Sequence, residues 1–367
     1  MKSILFVLDY FMPHRWWVEN VFENIIQRLE KKWYKIFVLT SKFDSQLQDV
    51  EINWNITIYR VWKNRKSFIL KSVRIWKKIL EENEIDVIHG STYGWAIPAA
   101  ILAKKFDKKV VLTVHEIFGK LWYEYKWTIV WFFYKLFEKI IFKYKYDVYH
   151  CVSYNTQEEL VSEYDIPKKK TCVIHNWVDY EFWNPNEVKD YEIKSFRARE
   201  NRWDNFVFFY YGHAGKSKWI DYLVQALPKL VKMDNVKIVF NIINSKRTEK
   251  ILKKINEIKS ENIQVFNWME KEDLRLMVAS CDCVIAPSLS EGFGSVHTES
   301  CAMEKVLITS KVSAIPEVVS GKIRFIKPGN PDEIVQAAKD VIEWKYKKIP
   351  MKTFDWEKTV EQIERLY

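Results

Sequence analysis

Short apolar strands alternate with helical segments along most of the 367-residue chain, and this alternation restricts its fold more than any other feature. Such βαβ units form parallel sheets that are covered by helices. The predicted strands lie at 4–8, 36–40, 56–61, 87–89, 110–114, 148–152, 171–174, 206–211, 236–243, 263–266, 283–286, 306–309 and 324–326. Clear helical patterns occur at 18–31, 68–82, 97–106 and 156–163.

The length of the chain indicates two domains, since one hydrophobic core usually stops growing at about 250–300 residues. A polar, charged stretch at 185–205 begins with Pro185 and has no clear periodicity, which is typical of a linker. We therefore predict an N-terminal α/β domain over 1–184 and a second one over 206–350.

Two glutamates, Glu291 and Glu299, lie eight positions apart around a Gly-Phe-Gly turn. The apolar run 283–286 predicts a buried parallel strand, 287–294 the loop at its carboxyl end, and the residues from Ser295 onward a helix. Ligands of open α/β sheets bind at such strand ends. The pattern therefore predicts a sugar-nucleotide site.

Both the backbone and the side chains of this turn would contact the sugar-nucleotide donor. Gly292 and Gly294 let N–H groups approach a diphosphate at the helix N-terminus, where free donors and the helix dipole favour negative charge. Glu291 would bind sugar hydroxyls and stabilise positive charge at the anomeric carbon, and Glu299 would accept hydrogen bonds from ribose hydroxyls. The alternatives are a solvated loop carboxylate and a helix-surface charge.

The stretch 282–319 resembles the E-x7-E region of retaining glycosyltransferases of family 4, which have the GT-B fold. The match extends over most of the chain. Residues 4–41 are similar to the family's first strand, donor loop and first helix; HNWVDYEFWNP, from His175, is similar to its interdomain segment; and YYGHAGKSKWIDYLVQA, from Tyr210, to the start of its second domain. The resemblance implies two Rossmann-like domains facing across a cleft, with a C-terminal helix in 351–367 that returns to the first domain.

The resemblance also implies functional residues outside the Gly-Phe-Gly turn. In the family, a G-R-x4-K-G pattern supplies basic groups to the donor diphosphate; here Lys218 falls on the lysine, His213 replaces the arginine and Trp219 the glycine. Lys218 would neutralise the leaving diphosphate, unless it is one more surface lysine. His115, with Glu116 at the end of an apolar strand, matches the family's strand-end histidine and would hydrogen-bond the donor sugar, with an ordinary loop histidine as the alternative.

The predicted site therefore has a catalytic and a donor-binding part. The catalytic residues are His115, Lys218 and Glu291. The donor-binding residues are Trp16, Trp17, His213, Lys218, Glu291, Gly292, Phe293, Gly294, Ser295 and Glu299.

The chain contains 17 tryptophans and only 9 glycines, although a usual glycine content of about 7% predicts roughly 26. Our hypothesis is that the gene comes from a bacterium that reads UGA as glycine and was translated as if UGA meant tryptophan. The alternative is a truly tryptophan-rich protein. Indoles in the donor loop would fill the space where a backbone must pass close to a sugar diphosphate. The tryptophans at family glycine positions are Trp16, Trp17, Trp33, Trp177, Trp219 and Trp268.

The segment 120–146 is dense in aromatic residues and lysines. Such a segment can lie in a membrane interface with its lysines toward anionic headgroups, or it can be a core-packed helix whose lysines face water. Glycines at Trp127 and Trp131 would weaken its amphipathicity. Peripheral membrane contact is thus one predicted interaction, and it would suit a lipid-linked acceptor.

Charge and cysteines restrict the partners and the compartment. The net charge of +10 favours an anionic partner, for which nucleotide diphosphates, anionic lipid and nucleic acid are the candidates. Nucleic acid is the weakest, since no zinc-finger, RNP-like or homeodomain-like pattern occurs. Five cysteines without a CxxC pair favour reduced thiols, and the first residues predict a strand rather than a signal peptide. We expect a cytoplasmic protein, located in part at the inner face of the membrane.

Paired carboxylates also occur in glycosidases, but the basic loop around Lys218 suits a diphosphate leaving group better than an alcohol. No two aspartates lie two positions apart, so the chain lacks the metal-binding Asp-x-Asp pair of the other common transferase fold. We therefore predict a metal-independent retaining glycosyltransferase that needs no cofactor and moves a sugar from a nucleotide donor to a glycan or lipid-linked acceptor. The alternatives are a nucleotide-sugar epimerase or glycan phosphorylase of the same fold, and a non-catalytic sugar- or membrane-binding protein if the loop tryptophans are genuine.

Overall fold

The computed structural model describes residues 2–14, 17–62, 68–122, 128–200, 205–212, 218–246 and 248–367. The chain divides into two compact units. The first consists of Met1–Asn176 and Trp356–Tyr367, and the second of Trp177–Asp355. Each unit has its own mostly parallel sheet and its own hydrophobic core.

The first unit is built on an eight-stranded sheet. Its strands are β1 Ser3–Val7, β2 Lys35–Lys42, β3 Val50–Asn53, β4 Ile56–Trp62, β5 Val87–Ser91, β6 Lys109–Val114, β7 Val148–Cys151 and β8 Thr171–Val173. Its helices are α1 Trp17–Lys31, α2 Phe68–Glu82, α3 Ala96–Phe106, α4 Thr128–Lys143 and α5 Tyr154–Tyr164. The strand order is β3-β4-β2-β1-β5-β6-β7-β8, and β3 alone is antiparallel to its neighbour. The central strands are buried on both faces, as parallel sheets require.

The second unit repeats this architecture with seven strands. Its strands are β9 Phe206–Tyr211, β10 Val236–Asn241, β11 Ile263–Phe266, β12 Cys283–Ala286, β13 Val306–Ser310, β14 Gly321–Ile326 and β15 Lys347–Ile349. Its helices are α6 Asp190–Arg199, α7 Ile220–Leu230, α8 Glu249–Glu257, α9 Lys271–Ser280, α10 Ser295–Ala302, α11 Ile315–Val318 and α12 Pro331–Ile342. The order is β11-β10-β9-β12-β13-β14-β15, with β15 antiparallel at the edge.

The last helix, α13 (Trp356–Glu364), belongs to the first unit. Arg28 on α1 pairs with Glu357 at 2.8 Å, and its guanidinium lies 3.5 Å from the centre of the Trp356 ring. The carboxylate of Glu357 is exposed, so this ion pair contributes little stability. The buried side chains of Ile363 and Tyr367 anchor the tail, because they are withdrawn from water in the first unit.

The predicted linker at 185–205 is wrong, and so is the predicted domain boundary at 184. The segment 185–205 and the predicted boundary at 184 both lie within the second unit, which begins at Trp177. Residues 190–199 form α6, which packs against α9 and buries Phe196. The Arg197 guanidinium also pairs with Asp282 at 2.9 Å. Most other positions of α6 are exposed or half-buried, so its sequence carries almost no helical apolar periodicity.

The two antiparallel edge strands, β3 and β15, were also absent from the predicted strands. Both are short and largely exposed, with the sequences VEIN and KKI. An edge strand of this kind is held by backbone pairing with its neighbour rather than by burial of its side chains. The apolar pattern that locates the inner strands is therefore missing from them.

Among the residues that the structure describes, four tryptophans adopt a left-handed backbone conformation that favours glycine: φ is 65° at Trp33, 51° at Trp54, 45° at Trp219 and 58° at Trp344. Trp33 is one of two that follow a helix. Its N–H donates to the carbonyl of Glu30, and the N–H of Tyr34 donates to the carbonyl of Leu29. These two hydrogen bonds define a Schellman motif at the helix end.

Trp344 repeats this pattern after α12. Its N–H donates to the carbonyl of Val341, and the N–H of Lys345 donates to Asp340. Glycine is the usual residue at this position of a helix end. The backbone of these two turns therefore agrees with the glycine hypothesis, which included Trp33 but not Trp344.

Candidate functional site

The candidate site lies in the second unit, at the point where the strand order reverses. Strand β9 continues to β10 on one side, whereas β12 pairs with β9 on the other and continues to β13. The loops that follow β9 and β12 therefore leave the same edge of the sheet, where ligands of open α/β sheets bind. Together with the first turn of α10 they line one small cavity. Its walls are Tyr210, Tyr211, Gly212, Lys218, Ala286, Ser288, Glu291, Val296 and His297.

Glu291 is the central charged group of this cavity and is buried. Its Oε1 accepts hydrogen bonds from the ammonium of Lys218 at 2.5 Å and from the hydroxyl of Ser288 at 2.7 Å. Burial acts to raise the pKa of the carboxyl, but the electrostatic effects of Lys218 and His297 and these hydrogen bonds outweigh it, so the pKa is lowered. Glu291 is therefore an anion with a cation directly beside it.

The loop and the helix meet at Gly294, the N-cap of α10, which has φ of 78°. A Cβ atom at this position would lie 2.8 Å from Nδ1 of His297, which is too close for any side chain. Glycine is therefore required both by the backbone conformation and by the space. The turn brings the N-terminus of α10, with its unpaired N–H groups, to the cavity that Glu291 and Lys218 line.

Glu299 lies about one turn into α10 and is half-buried. The hydroxyl of Tyr211 donates to its Oε2 at 3.3 Å. Burial raises the pKa of Glu299 to about 7, and the hydrogen bond from Tyr211 opposes that rise. The carboxyl thus changes its protonation near neutral pH, and it is a stronger hydrogen-bond acceptor when it is ionised.

Two buried groups of the cavity were missed by the sequence interpretation. His297 is fully buried; its Nε2 lies 3.3 Å from the carbonyl oxygen of Ala286 and its Nδ1 3.9 Å from Oε1 of Glu291. Burial lowers the pKa of His297, although Glu291 acts in the opposite direction. Within the described ranges, neither Nδ1 of His297 nor the hydroxyl of Tyr210 has a hydrogen-bond partner. The only sequence signal was a histidine three positions after Gly294, which alone indicates nothing.

The other predicted residues of the turn have different surroundings. Gly292 is buried, and Ser295 is exposed as the first residue of α10. Phe293 is buried with its ring edge-on to Phe354 at 5.1 Å between centroids. Its ring packs in the interior of the second unit, so a ligand would contact its backbone.

His115 belongs to the first unit, directly after β6, and is buried. Its Nε2 lies 3.1 Å from the hydroxyl of Ser91, and its backbone N–H donates to Thr92 at 3.3 Å. Burial, with a smaller effect of His150, lowers the pKa of His115 to about 3. The imidazole is therefore neutral at ordinary pH and suits hydrogen bonding rather than charge pairing. As predicted, it lies at the carboxyl edge of its sheet.

Three predicted residues cannot be placed in the site. Trp16 and His213 lie outside the described residues, and Trp17 begins α1 but its side chain is likewise outside the description. In the described ranges, no cluster of three His, Cys, Asp or Glu side chains is arranged to hold a metal ion. None of the helices in those ranges has the length and apolar character needed to span a bilayer.

Two known families together match most of this chain, and individual relatives match between about three fifths and nearly all of it. Residues 18–182 match Glycosyltransferase Family 4, and residues 192–352 match Glycosyl transferases group 1. An uncharacterized glycosyltransferase of Methanocaldococcus jannaschii is 24% identical over 229 residues, which cover 59% of this chain and 58% of that protein. The gpi3 subunit of the Schizosaccharomyces pombe phosphatidylinositol N-acetylglucosaminyltransferase is 22% identical over 382 residues, 98% of this chain and 79% of that protein.

Solved structures share the fold. Anabaena HepE in complex with UDP superposes with a TM-score of 0.77 at 17% identity, covering 100% of this chain and 99% of that one. Sucrose-phosphate synthase from Thermosynechococcus elongatus superposes with a TM-score of 0.78 at 16% identity, covering 100% and 98%. At these identities the likeness shows the architecture alone.

Proposed function

Since the chain belongs to the glycosyl transferases group 1 family and is a glycosyltransferase of the GT-B fold, we propose that it transfers a sugar from a nucleoside-diphosphate donor with retention of anomeric configuration and without a metal ion. The acceptor is a glycan or a lipid-linked sugar at the inner face of the cytoplasmic membrane. The observation that carries the proposal is the Lys218–Glu291 pair beside the N-terminus of α10.

The donor diphosphate has two sources of positive potential in this cavity. The ammonium of Lys218 and the N–H groups at the start of α10 both favour an anion, and Gly294 keeps side-chain atoms out of the turn. Solved neighbours in complex with UDP and with UDP-glucose support a donor of this class. No cofactor is needed, because the leaving diphosphate is already activated.

Catalysis in this proposal is electrostatic. As the bond from the anomeric carbon to the diphosphate breaks, negative charge accumulates on the leaving group and positive charge on the sugar ring. Lys218 neutralises the negative charge on the leaving group, and the Glu291 carboxylate stabilises the positive charge on the sugar ring. Glu291 also accepts hydrogen bonds from sugar hydroxyls. His115 donates or accepts a hydrogen bond at the sugar as a neutral imidazole. Attack from the same face as the leaving group then retains the configuration, with the departing phosphate taking the acceptor proton.

A lipid-linked acceptor has one supporting observation beyond the site. The gpi3 relative is a subunit of an enzyme whose name identifies a phosphatidylinositol acceptor, and its match covers 98% of this chain. An epimerase is distinguished from a transferase by its product, since it converts one nucleotide sugar into another without needing an acceptor.

The decisive experiment measures nucleotide release from UDP-, GDP- and ADP-sugars, with glycine restored at the suspect tryptophans. The matched variants are Glu299→Ala in the site and Glu257→Ala on the exposed surface of α8. Release from one donor that is lost in Glu299→Ala and kept in Glu257→Ala would establish the activity and name the donor. Donor conversion without release would indicate an epimerase, and sugar binding without either would indicate a non-catalytic protein.

A further inference from the structure

One side of α4 is fixed to the body of the first unit by the buried side chains of Ile141 and Phe142 and by one buried carboxylate, that of Glu138. It accepts hydrogen bonds from the hydroxyl of Tyr93 at 2.8 Å, from the backbone N–H of Gly119 at 2.9 Å and from the indole of Trp122 at 3.1 Å. The hydroxyl of Tyr164 donates to it as well. The donors lie on the segment after β5, on the segment before α4 and on α5, and together they fix the orientation of this side of α4.

The opposite side of α4 is apolar and faces water. Val130, Phe133, Phe137 and Ile140 follow the i, i+3, i+4 spacing of one helical face and are 43%, 60%, 39% and 38% exposed. Leu136 widens this stripe on one side and is 41% exposed. A contiguous exposed patch of this kind on one helix marks an interaction surface rather than scattered surface hydrophobics. We call these five residues the α4 apolar face.

The charges around the α4 apolar face are positive. Lys139 and Lys143 are exposed along one edge of the stripe, whereas Glu138, the only acidic residue of the helix, is buried on the other side. The segment that follows α4 also meets the lysine triplet Lys168–Lys170, because Lys170 donates to the carbonyl of Tyr146 at 3.1 Å. An apolar stripe with a basic rim is complementary to acyl chains beneath anionic headgroups.

We infer that the α4 apolar face is a docking surface for an anionic phospholipid bilayer, with α4 lying in the membrane interface and its lysines paired with lipid phosphates. Phe133 and Phe137 enter the boundary between headgroups and acyl chains, and Lys139 and Lys143 reach the headgroups. The inference deepens the proposed function, on which it rests for the choice of a lipid surface over a protein partner. Membrane docking itself requires neither donor nor catalysis.

The test is flotation of the full chain with vesicles of phosphatidylcholine alone or mixed with phosphatidylglycerol, without any sugar nucleotide. We expect binding to the mixed vesicles, weaker binding to the neutral ones, and a loss of binding as salt is raised. Equal binding to both kinds of vesicle, or to neither, would contradict the inference.

Variants assign the binding to α4. Phe133→Ser/Phe137→Ser should reduce the bound fraction by about tenfold or more, as the loss of two aromatic side chains that the membrane buries predicts. The control pair Ile52→Ser/Tyr191→Ser, which is more exposed, should not reduce it. Lys139→Glu/Lys143→Glu should abolish the preference for phosphatidylglycerol, with Lys250→Glu/Lys253→Glu on α8 as its control. Circular dichroism checks that each variant is folded.

Three further outcomes test this inference, and the last two separate it from the proposed function. If wild type self-associates without vesicles and Phe133→Ser/Phe137→Ser is monomeric, the face is an interface between copies and the inference is wrong. Vesicle binding with no nucleotide release from any donor would leave the docking surface intact and overturn the proposed activity. Nucleotide release without vesicle binding would support the proposed activity and overturn the docking surface.

Discussion

At the scale of single residues, tryptophans in left-handed conformations carry the most information. Trp33 and Trp344 are 73% and 66% exposed, so their rings contribute little burial, and both stand where a helix end favours glycine. Trp219 also crowds another glycine, because a Cβ atom on Gly329 would lie 2.9 Å from its ring. Packing therefore gives little reason for an indole at Trp33 or Trp344, whereas the ring of Trp219 packs against Gly329 and Tyr222.

We predict that Trp33→Gly and Trp344→Gly each stabilise their unit by about 0.5–1 kcal/mol, because the relief of left-handed strain exceeds the greater unfolded-state entropy of glycine. Denaturant unfolding measures the change. Trp268→Gly is the control: it is exposed without a positive φ, and the substitution should not stabilise the second unit. The codons at Trp33 and Trp344 should be UGA, and UGG at both would overturn the glycine hypothesis there.

Lys218 provides the second prediction at this scale. Lys218→Ala removes the main cation beside Glu291, so the pKa of that carboxyl should rise. The loss of a group that stabilises the leaving diphosphate should lower kcat by about 10²–10³. Lys229→Ala, which removes an exposed lysine paired with Asp332, is the matched control. An unchanged kcat in Lys218→Ala would remove Lys218 from the mechanism.

The Lys218–Glu291 pair should also make the unfolding free energy of the second unit depend on pH. Because the folded-state pKa of Glu291 is lowered, the pair contributes stability above the usual carboxyl pKa, and that contribution is lost as pH falls through the folded value. The difference in unfolding free energy between wild type and Lys218→Ala should therefore shrink in acid. A constant difference would show that the ammonium stabilises the unit in some other way.

At the scale of elements, α10 combines a glycine-dependent start with a titrating carboxyl. Glu299 has a pKa of about 7, raised by burial, so it is largely protonated below neutral pH. A protonated carboxyl is a weaker acceptor for ribose hydroxyls. We expect nucleotide affinity to fall as pH decreases through about 7, by up to tenfold per pH unit, as calorimetry can measure.

Glu299→Gln is the informative variant for this prediction. It keeps an acceptor oxygen but does not titrate, so nucleotide affinity should be weaker at pH 8 and nearly independent of pH across the same range. A pH dependence that persists in Glu299→Gln would assign the titration to another group, of which the nucleotide phosphate and the lowered-pKa His297 are the nearest candidates.

At the scale of the whole molecule, the chain returns to its first unit at the end. The hydroxyl of Tyr367 lies 2.6 Å from Nδ1 of His89, whose Nε2 lies 2.7 Å from the hydroxyl of Thr113. All three side chains are buried, so this hydrogen-bond chain ties the tail to β5 and β6. The stability of the first unit therefore depends in part on Tyr367.

We predict that Tyr367→Phe destabilises the first unit by about 1–3 kcal/mol, because it leaves a buried ring nitrogen of His89 without its partner. Tyr191→Phe, at a site 70% exposed, should change the stability by less than about 0.5 kcal/mol. Thermal unfolding of both variants makes the comparison. Equal unfolding midpoints for the two variants would show that the Tyr367 hydroxyl does not stabilise the first unit.

The inner strands and main helices were predictable from sequence, because their side chains are buried with regular periodicity. The Gly-Phe-Gly turn with its two glutamates was equally visible, since glycine spacing and charge are local properties. His297 and Tyr210 were not, because burial and proximity to Glu291 depend on strands that are distant in sequence. The helix α6 and the edge strands were missed for the opposite reason: they bury too little to carry a pattern.

The sequence by itself determined the α/β class, the succession of strands and helices, and the residues of the Gly-Phe-Gly turn, because each follows from local periodicity, glycine placement or a family pattern. Only the tertiary structure decided that Lys218 pairs with Glu291, that the first unit ends at Asn176, and that α4 presents an apolar face. These depend on which surfaces are covered by other elements, and coverage is a property of the folded chain rather than of any segment.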